Sequence, residues 1–166
     1  MGRAAVARAE FTLRLRHRFA AKPDKVFAAW TDPQALKRWW CPPGWRPRDM
    51  RVDLREGGTY TLSMQRISDG QVVTAHGIFQ EVIVPSRLVY TWNWDGAFPD
   101  MPQTRVTVEF RAASDGTEVS LCQDDLSMRV CGSHLTGWMK ALNRLETACT
   151  LAPPDALRSP AFDRPS

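Results

Sequence analysis

Near its C-terminal end the chain carries a stripe that fixes one element and dictates what must face it. Cys131, Leu135, Trp138, Leu142, Leu145 and Cys149 recur at steps of 4, 3, 4, 3 and 4 within residues 128–150. That spacing predicts one long helix with a continuous apolar face. Lys140, Arg144 and Thr147 fall elsewhere on its surface. A stripe of this length must be buried against another layer.

The preceding residues supply that layer. Residues 11–19 alternate, with Phe11, Leu13, Leu15, His17 and Phe19 on one side and Thr12, Arg14, Arg16 and Arg18 on the other. This is the period of a half-buried strand. Lys22-Pro23-Asp24 then opens a short helix whose buried face is Val26, Phe27 and Trp30. Thr31-Asp32-Pro33 ends it and starts a second over Gln34–Trp40, with Asp32 as cap and Pro33 at the first position. Cys41-Pro42-Pro43-Gly44 breaks that helix.

Strands follow over residues 48–54, 59–67, 72–83, 87–94, 104–112 and 117–124. Gly57-Gly58, Asp69-Gly70, Pro85-Ser86 and Asp115-Gly116 turn the chain between them. Gly77 is expected to form a bulge. Consecutive strands joined by tight turns give an antiparallel meander. The fold class is therefore α+β: a curved antiparallel sheet of about six to seven strands around a long C-terminal helix, with two short helices after the first strand.

Composition permits such a core. Hydrophobic residues make up 43% and charged residues 24% of 166, a globular balance. The domain is placed at 11–151, between an N-terminus (1–10) and a Pro-rich tail (152–166) that both read as disordered. The net charge is +4, concentrated near the N-terminus in Arg3, Arg8, Arg14, Arg16 and Arg18. No recognition motif accompanies it, so nucleic acid is not an expected partner. No apolar run reaches the roughly 18 residues of a membrane span, and no secretory signal follows Met1. Cys41, Cys122, Cys131 and Cys149 show no CxxC spacing, so a cytoplasmic protein with free thiols is expected.

The inward-facing strand positions form an apolar wall of Tyr60, Leu62, Met64, Phe79, Val106, Val108, Phe110, Val119 and Leu121. The seven tryptophans, Trp30, Trp39, Trp40, Trp45, Trp92, Trp94 and Trp138, either build the core or stack on a planar ligand. Trp138 stands out, because it lies mid-helix on the stripe and its indole N–H needs a partner that a ligand or water is expected to supply. A wall with few polar groups suits an apolar or aromatic ligand. The ligand-binding candidates are that wall without Val119, together with Trp30, Trp39 and Trp92 and, from the helix, Leu135, Trp138 and Leu142.

Catalytic signals are thin. A bulge at Gly77 would bring His76 and Glu81 to one side as an acid–base pair. Cys131 and His134 stand at a spacing that lets them meet on the helix. Asp53 and Arg55 read as a salt bridge beside the glycine turn. His17, His76 and His134 show no metal spacing, and no phosphate loop or serine-nucleophile motif is present. No catalytic residue, metal ligand or cofactor is assigned.

Several stretches carry a family resemblance: Ala28-Ala29-Trp30-Thr31-Asp32-Pro33, Trp39-Trp40-Cys41-Pro42-Pro43-Gly44-Trp45 and Asp53-Leu54-Arg55-Glu56-Gly57-Gly58. Gly77-Ile78-Phe79-Gln80-Glu81-Val82, Arg87-Leu88-Val89-Tyr90-Thr91-Trp92 and Gly137-Trp138 continue it. Together they resemble homologues of the C-terminal domain of the ninety-kilodalton heat-shock protein's ATPase activator, within the START-like SRPBCC superfamily. The resemblance runs from about residue 11 to 150. It implies a helix-grip (START/Bet v-like) fold and, for function, binding or sequestration of a small hydrophobic molecule in an internal cavity. The alternatives are a protein-interaction module, as in the chaperone activators, or a cyclase- or hydrolase-type enzyme. Cys41 stands where the family usually has Gly.

Overall fold

The computed structural model describes residues 10–150. The strands are β1 (Glu10–Phe19), β2 (Trp45–Val52), β3 (Thr59–Arg66), β4 (Val72–Ile83), β5 (Arg87–Asp95), β6 (Thr104–Ala113) and β7 (Gly116–Ser127). The helices are α1 (Pro23–Thr31), α2 (Pro33–Trp39) and α3 (Met128–Thr150). The expected loose ends lie outside the described residues, except Glu10, which opens β1.

All seven strands form one antiparallel curved sheet in the order β1-β7-β6-β5-β4-β3-β2. The meander runs from β2 to β7, and β1 joins at the far edge by pairing with β7. Helix α3 packs on β1, β7, α1 and α2. This is the helix-grip arrangement.

Local chemistry explains the boundaries. Asp32 caps α2 by accepting from the Gln34 backbone N–H at 3.1 Å, with Pro33 at the first position. That cap satisfies one of the free donors at a helix start. Strand β2 begins at Trp45, three residues before the sequence places it. It is an edge strand, and Pro47 is tolerated there because the register shifts between Pro47 and Met50 and an edge proline withholds no ladder donor. Strand β7 runs to Ser127, three residues further than expected, because its end pairs with Glu10 and Phe11 of β1 after β6 has left it.

Gly77 is not the bulge. The β4–β5 register is regular through it and shifts between Phe79 and Glu81. Its lack of a side chain serves close packing: a Cβ there would lie 1.9 Å from the Thr91 carbonyl oxygen. The turn after α2 takes its left-handed residue at Gly44 (φ 84), so Cys41 does not supply the glycine conformation.

Most inward strand positions are buried as the alternation predicts, from Leu13 and Phe19 on β1 to Val119 and Leu121 on β7, whereas Phe11, Leu15, His17 and Met64 are half-buried. The phase of α3 differs. Its buried residues are His134, Trp138, Ala141, Leu142, Leu145 and Cys149, whereas Leu135 and Cys131 are half-buried. His134 has taken the inward place one residue before Leu135.

Candidate functional site

The space between sheet and helix is mostly filled by aromatic rings. Trp30 stacks on Trp138 with centroids 6.0 Å apart and planes at 14°, and its edge meets Phe110 at 5.7 Å. Trp39 meets Trp30 at 5.3 Å. Such offset and edge-to-face pairs add about 0.5–1.5 kcal/mol each beyond burial. What remains in this deep region is a void of about 30 Å³, room for a water or two.

A larger cavity of about 240 Å³ lies beside it, toward the first half of α3. Trp92 and Trp94 of β5 form one wall, Trp138 and Ala141 of α3 another, and Trp40 a third. Phe98, from the β5–β6 loop, Met64 and Pro42 complete the apolar lining, and Ser133, His134, Gly137, Lys140 and Arg144 also border it. Phe98 holds a left-handed φ of 49 and packs on His134 at 5.0 Å and on Trp94 at 5.9 Å. Its own loop therefore leans over the helix.

Of the ligand-binding candidates, Met64, Trp92 and Trp138 line the larger cavity. Trp30, Trp39, Tyr60, Leu62 and Phe79 line the small void, as does Trp92 again. Val106, Val108, Phe110, Leu121 and Leu142 lie in the packed core and line neither, and neither does half-buried Leu135. Sequence reasoning left Trp40, Trp94, Phe98, His134 and Arg144 out of the candidate set. Trp40 and Trp94 were visible only as members of the aromatic group. Phe98 sits in a loop whose placement no period encodes.

The polar groups sort the tryptophans. The Trp138 Nε1–H donates to Gln123 Oε1 at 2.8 Å, and Gln123 Nε2 donates to Thr104 Oγ1 at 2.9 Å. Trp138 therefore draws its partner from the protein and needs none from a ligand, which corrects the expectation. Trp30 donates to Tyr90 Oη at 3.3 Å and Trp39 to the Ala29 carbonyl at 2.8 Å. The buried indole N–H groups of Trp40 and Trp92 have no partner among the described residues. A buried unpaired donor costs about 1–3 kcal/mol.

His134 is locked in one tautomer. Its Nδ1–H donates to the Val130 carbonyl at 2.9 Å, and its Nε2 accepts the Trp94 Nε1–H at 3.0 Å. Burial pulls its pKa below the usual histidine value, opposed by the Val130 hydrogen bond. With both nitrogens engaged, His134 cannot serve Cys131 as a base. His76 lies 3.3 Å from Asp95 without hydrogen-bond alignment, and Glu81 pairs with Arg87 at 3.2 Å. The His76–Glu81 pair is therefore not formed. Asp53 and Arg55 do pair, at 2.9 Å on the surface.

Arg144 donates through Nε to the Trp39 carbonyl at 2.8 Å and through a terminal nitrogen to the Trp40 carbonyl at 3.1 Å. It thereby ties α3 to the end of α2 and fixes the backbone that carries Trp40. Burial pushes the Cys41 thiol up to about 11, against the pull of Arg144. Cys41 therefore stays protonated near neutral pH and is a poor nucleophile. Among the described residues no group of His, Cys, Asp and Glu could hold a metal ion, and no helix is long and apolar enough to cross a membrane.

Known proteins share this arrangement. A protein of Chromobacterium violaceum is 27% identical, with a TM-score of 0.73 over 82% of this chain and 96% of its own. One of Nitrosomonas europaea is 28% identical, with a TM-score of 0.72 over 83% and 93%. An AHSA1-like protein of Aeromonas hydrophila is 25% identical, with a TM-score of 0.71 over 83% and 91%. No curated protein is matched by the sequence. The family described as Activator of Hsp90 ATPase homolog 1-like protein matches residues 20–150, so the resemblance, the helix-grip sheet and the order of elements agree: the chain belongs to that family.

Proposed function

We propose that the chain binds a small, planar, aromatic molecule in the 240 Å³ cavity. The observation that carries this is a space walled by Trp40, Trp92, Trp94 and Trp138 that the protein's own side chains leave unfilled. An apolar cavity of about 150 Å³ holds benzene, so this one suits a two-ring aromatic. Drug-sized ligands need about 300 Å³ or more.

Gly137 supports the same reading. A Cβ there meets nothing within 4 Å, although the residue lies mid-helix and borders the cavity. Gly137 is exposed, so a larger side chain at this position has room to grow into the cavity. An enzymatic reading lacks its parts. No carboxylate lines the cavity, and the histidine that does has both nitrogens occupied. An interaction module would need one broad apolar patch. The exposed large hydrophobics instead lie in the β2–β3 turn (Leu54), on β4 and the turns at either end of it (Ile67, Val72, Ile78, Ile83, Val84), in the β5–β6 loop (Phe98) and on α3 (Met128, Met139).

The test is a thermal-shift titration with naphthalene, indole and their simple derivatives. At a hundred times Kd a ligand stabilises by about 2.7 kcal/mol, which raises Tm by roughly 5–11 °C in a chain of this size. Gly137→Leu fills the cavity from the helix side and should abolish the shift. Flat melting curves across the series, or equal shifts in Gly137→Leu, would overturn the proposal.

A further inference from the structure

The cavity is bordered by positive charge with no carboxylate beside it. Its lining residues include Lys140 and Arg144 and no Asp or Glu. Neither cation forms an ion pair among the described residues. Arg144 is held in place by two backbone carbonyls, which accept hydrogen bonds but carry no counter-charge. His134 stays neutral in its hydrogen-bonding pattern and adds no acceptor, because its Nε2 is taken by Trp94. A half-buried guanidinium without an anion is an uncompensated charge, the kind of group that proteins normally pair.

Building on the binding reading above, we infer that the ligand is an anion: a planar aromatic carboxylate. Its rings lie among Trp40, Trp92, Trp94 and Trp138, and its head group meets Lys140 and Arg144. The two carbonyls that hold Arg144 favour this chemistry, because a carboxylate meets a positive charge that is already ordered. An amine-bearing aromatic would bring a like charge to the same cations and is excluded by the same geometry.

The experiment compares 2-naphthoate with its neutral isostere 2-naphthamide by fluorescence titration and thermal shift. It is run at low salt and at 0.5 M NaCl, on the wild type and on Lys140→Glu. Lys140 is exposed and makes no hydrogen bond or ion pair among the described residues, so its reversal leaves the fold intact. The carboxylate should bind about tenfold tighter than the amide, the scale of one charge-assisted hydrogen bond. The difference should shrink in high salt and largely vanish in Lys140→Glu. Equal affinity for the two compounds, insensitive to salt and to Lys140→Glu, would overturn the anion inference and leave the binding reading standing. Failure of both compounds and of naphthalene to bind would overturn both.

Discussion

Gln123 is the polar group on which the position of Trp138 depends, and replacing it with leucine isolates that dependence. Gln123 is fully buried, accepts from Trp138 Nε1 and donates to Thr104 Oγ1. Leucine keeps most of the volume but removes both bonds. The indole N–H of Trp138 is then orphaned in a site where Trp138 is 4% exposed, at about 1–3 kcal/mol. The lost bond to Thr104 adds about 1 kcal/mol, and the apolar side chain recovers part of the total. A net loss of about 2–3 kcal/mol follows, or roughly 4–12 °C in Tm.

The decisive measurement is a double-mutant cycle in urea with Trp138→Phe. That single change leaves the Gln123 oxygen unpaired and opens a void beside Trp30, so it too destabilises. Together the two substitutions remove donor and acceptor at once. The double mutant should therefore be about 1–2 kcal/mol more stable than the sum of the singles predicts. Additivity within about 0.5 kcal/mol would refute the view that this hydrogen bond fixes the ring.

Gly77→Ala should cost about 3 kcal/mol or more, because its Cβ would sit 1.9 Å from the Thr91 carbonyl oxygen and force β4 from β5; a Tm within 2 °C of wild type would contradict the packing argument, 2 °C being roughly the shift that 1 kcal/mol gives. Burial lowers the His134 pKa, so the unfolded chain takes up the proton first. Stability is then complete above the unfolded value of about 6.5 and is lost as pH falls below it, by up to about 1.4 kcal/mol per pH unit. His134→Phe should remove that part of the slope in urea midpoints measured from pH 7.5 to 5; an unchanged profile would refute it. Gly137→Ala should raise stability by about 0.5–1 kcal/mol, read in the same urea assay, while weakening ligand binding; a destabilised variant would mean that the space above Gly137 is not open.

The sheet was legible because its signal is local. Alternation in Phe11–Phe19 and in Val106, Val108 and Phe110 is decided by neighbours two residues away, and the tight turns fix how the strands meet. The stripe of α3 was legible as a stripe but was placed out of phase at its start. His134 is polar by type, and only a partner forty residues away, Trp94, makes it an inward residue. Gln123 was readable and was passed over: it continues the period of Val119 and Leu121 onto the buried face. Phe98 and Arg144 carried no local signal. One depends on a loop conformation with φ 49, the other on carbonyls left free at the end of α2.

Cavity formation at this end of the helix follows from a change in side-chain size along α3. From Trp138 to Cys149 the inward residues reach the sheet or the short helices and close the core. Before Trp138, the bordering residues are Ser133, His134 and Gly137, two of them small, while β5 presents Trp92 and Trp94 from the other side. Large rings facing small residues leave a gap that neither layer fills. Two cations of α3, Lys140 and the half-buried Arg144, border that gap with no carboxylate beside them. A gap left by poor packing alone has no reason to gather uncompensated charge, whereas departures from self-consistent design gather where function requires them.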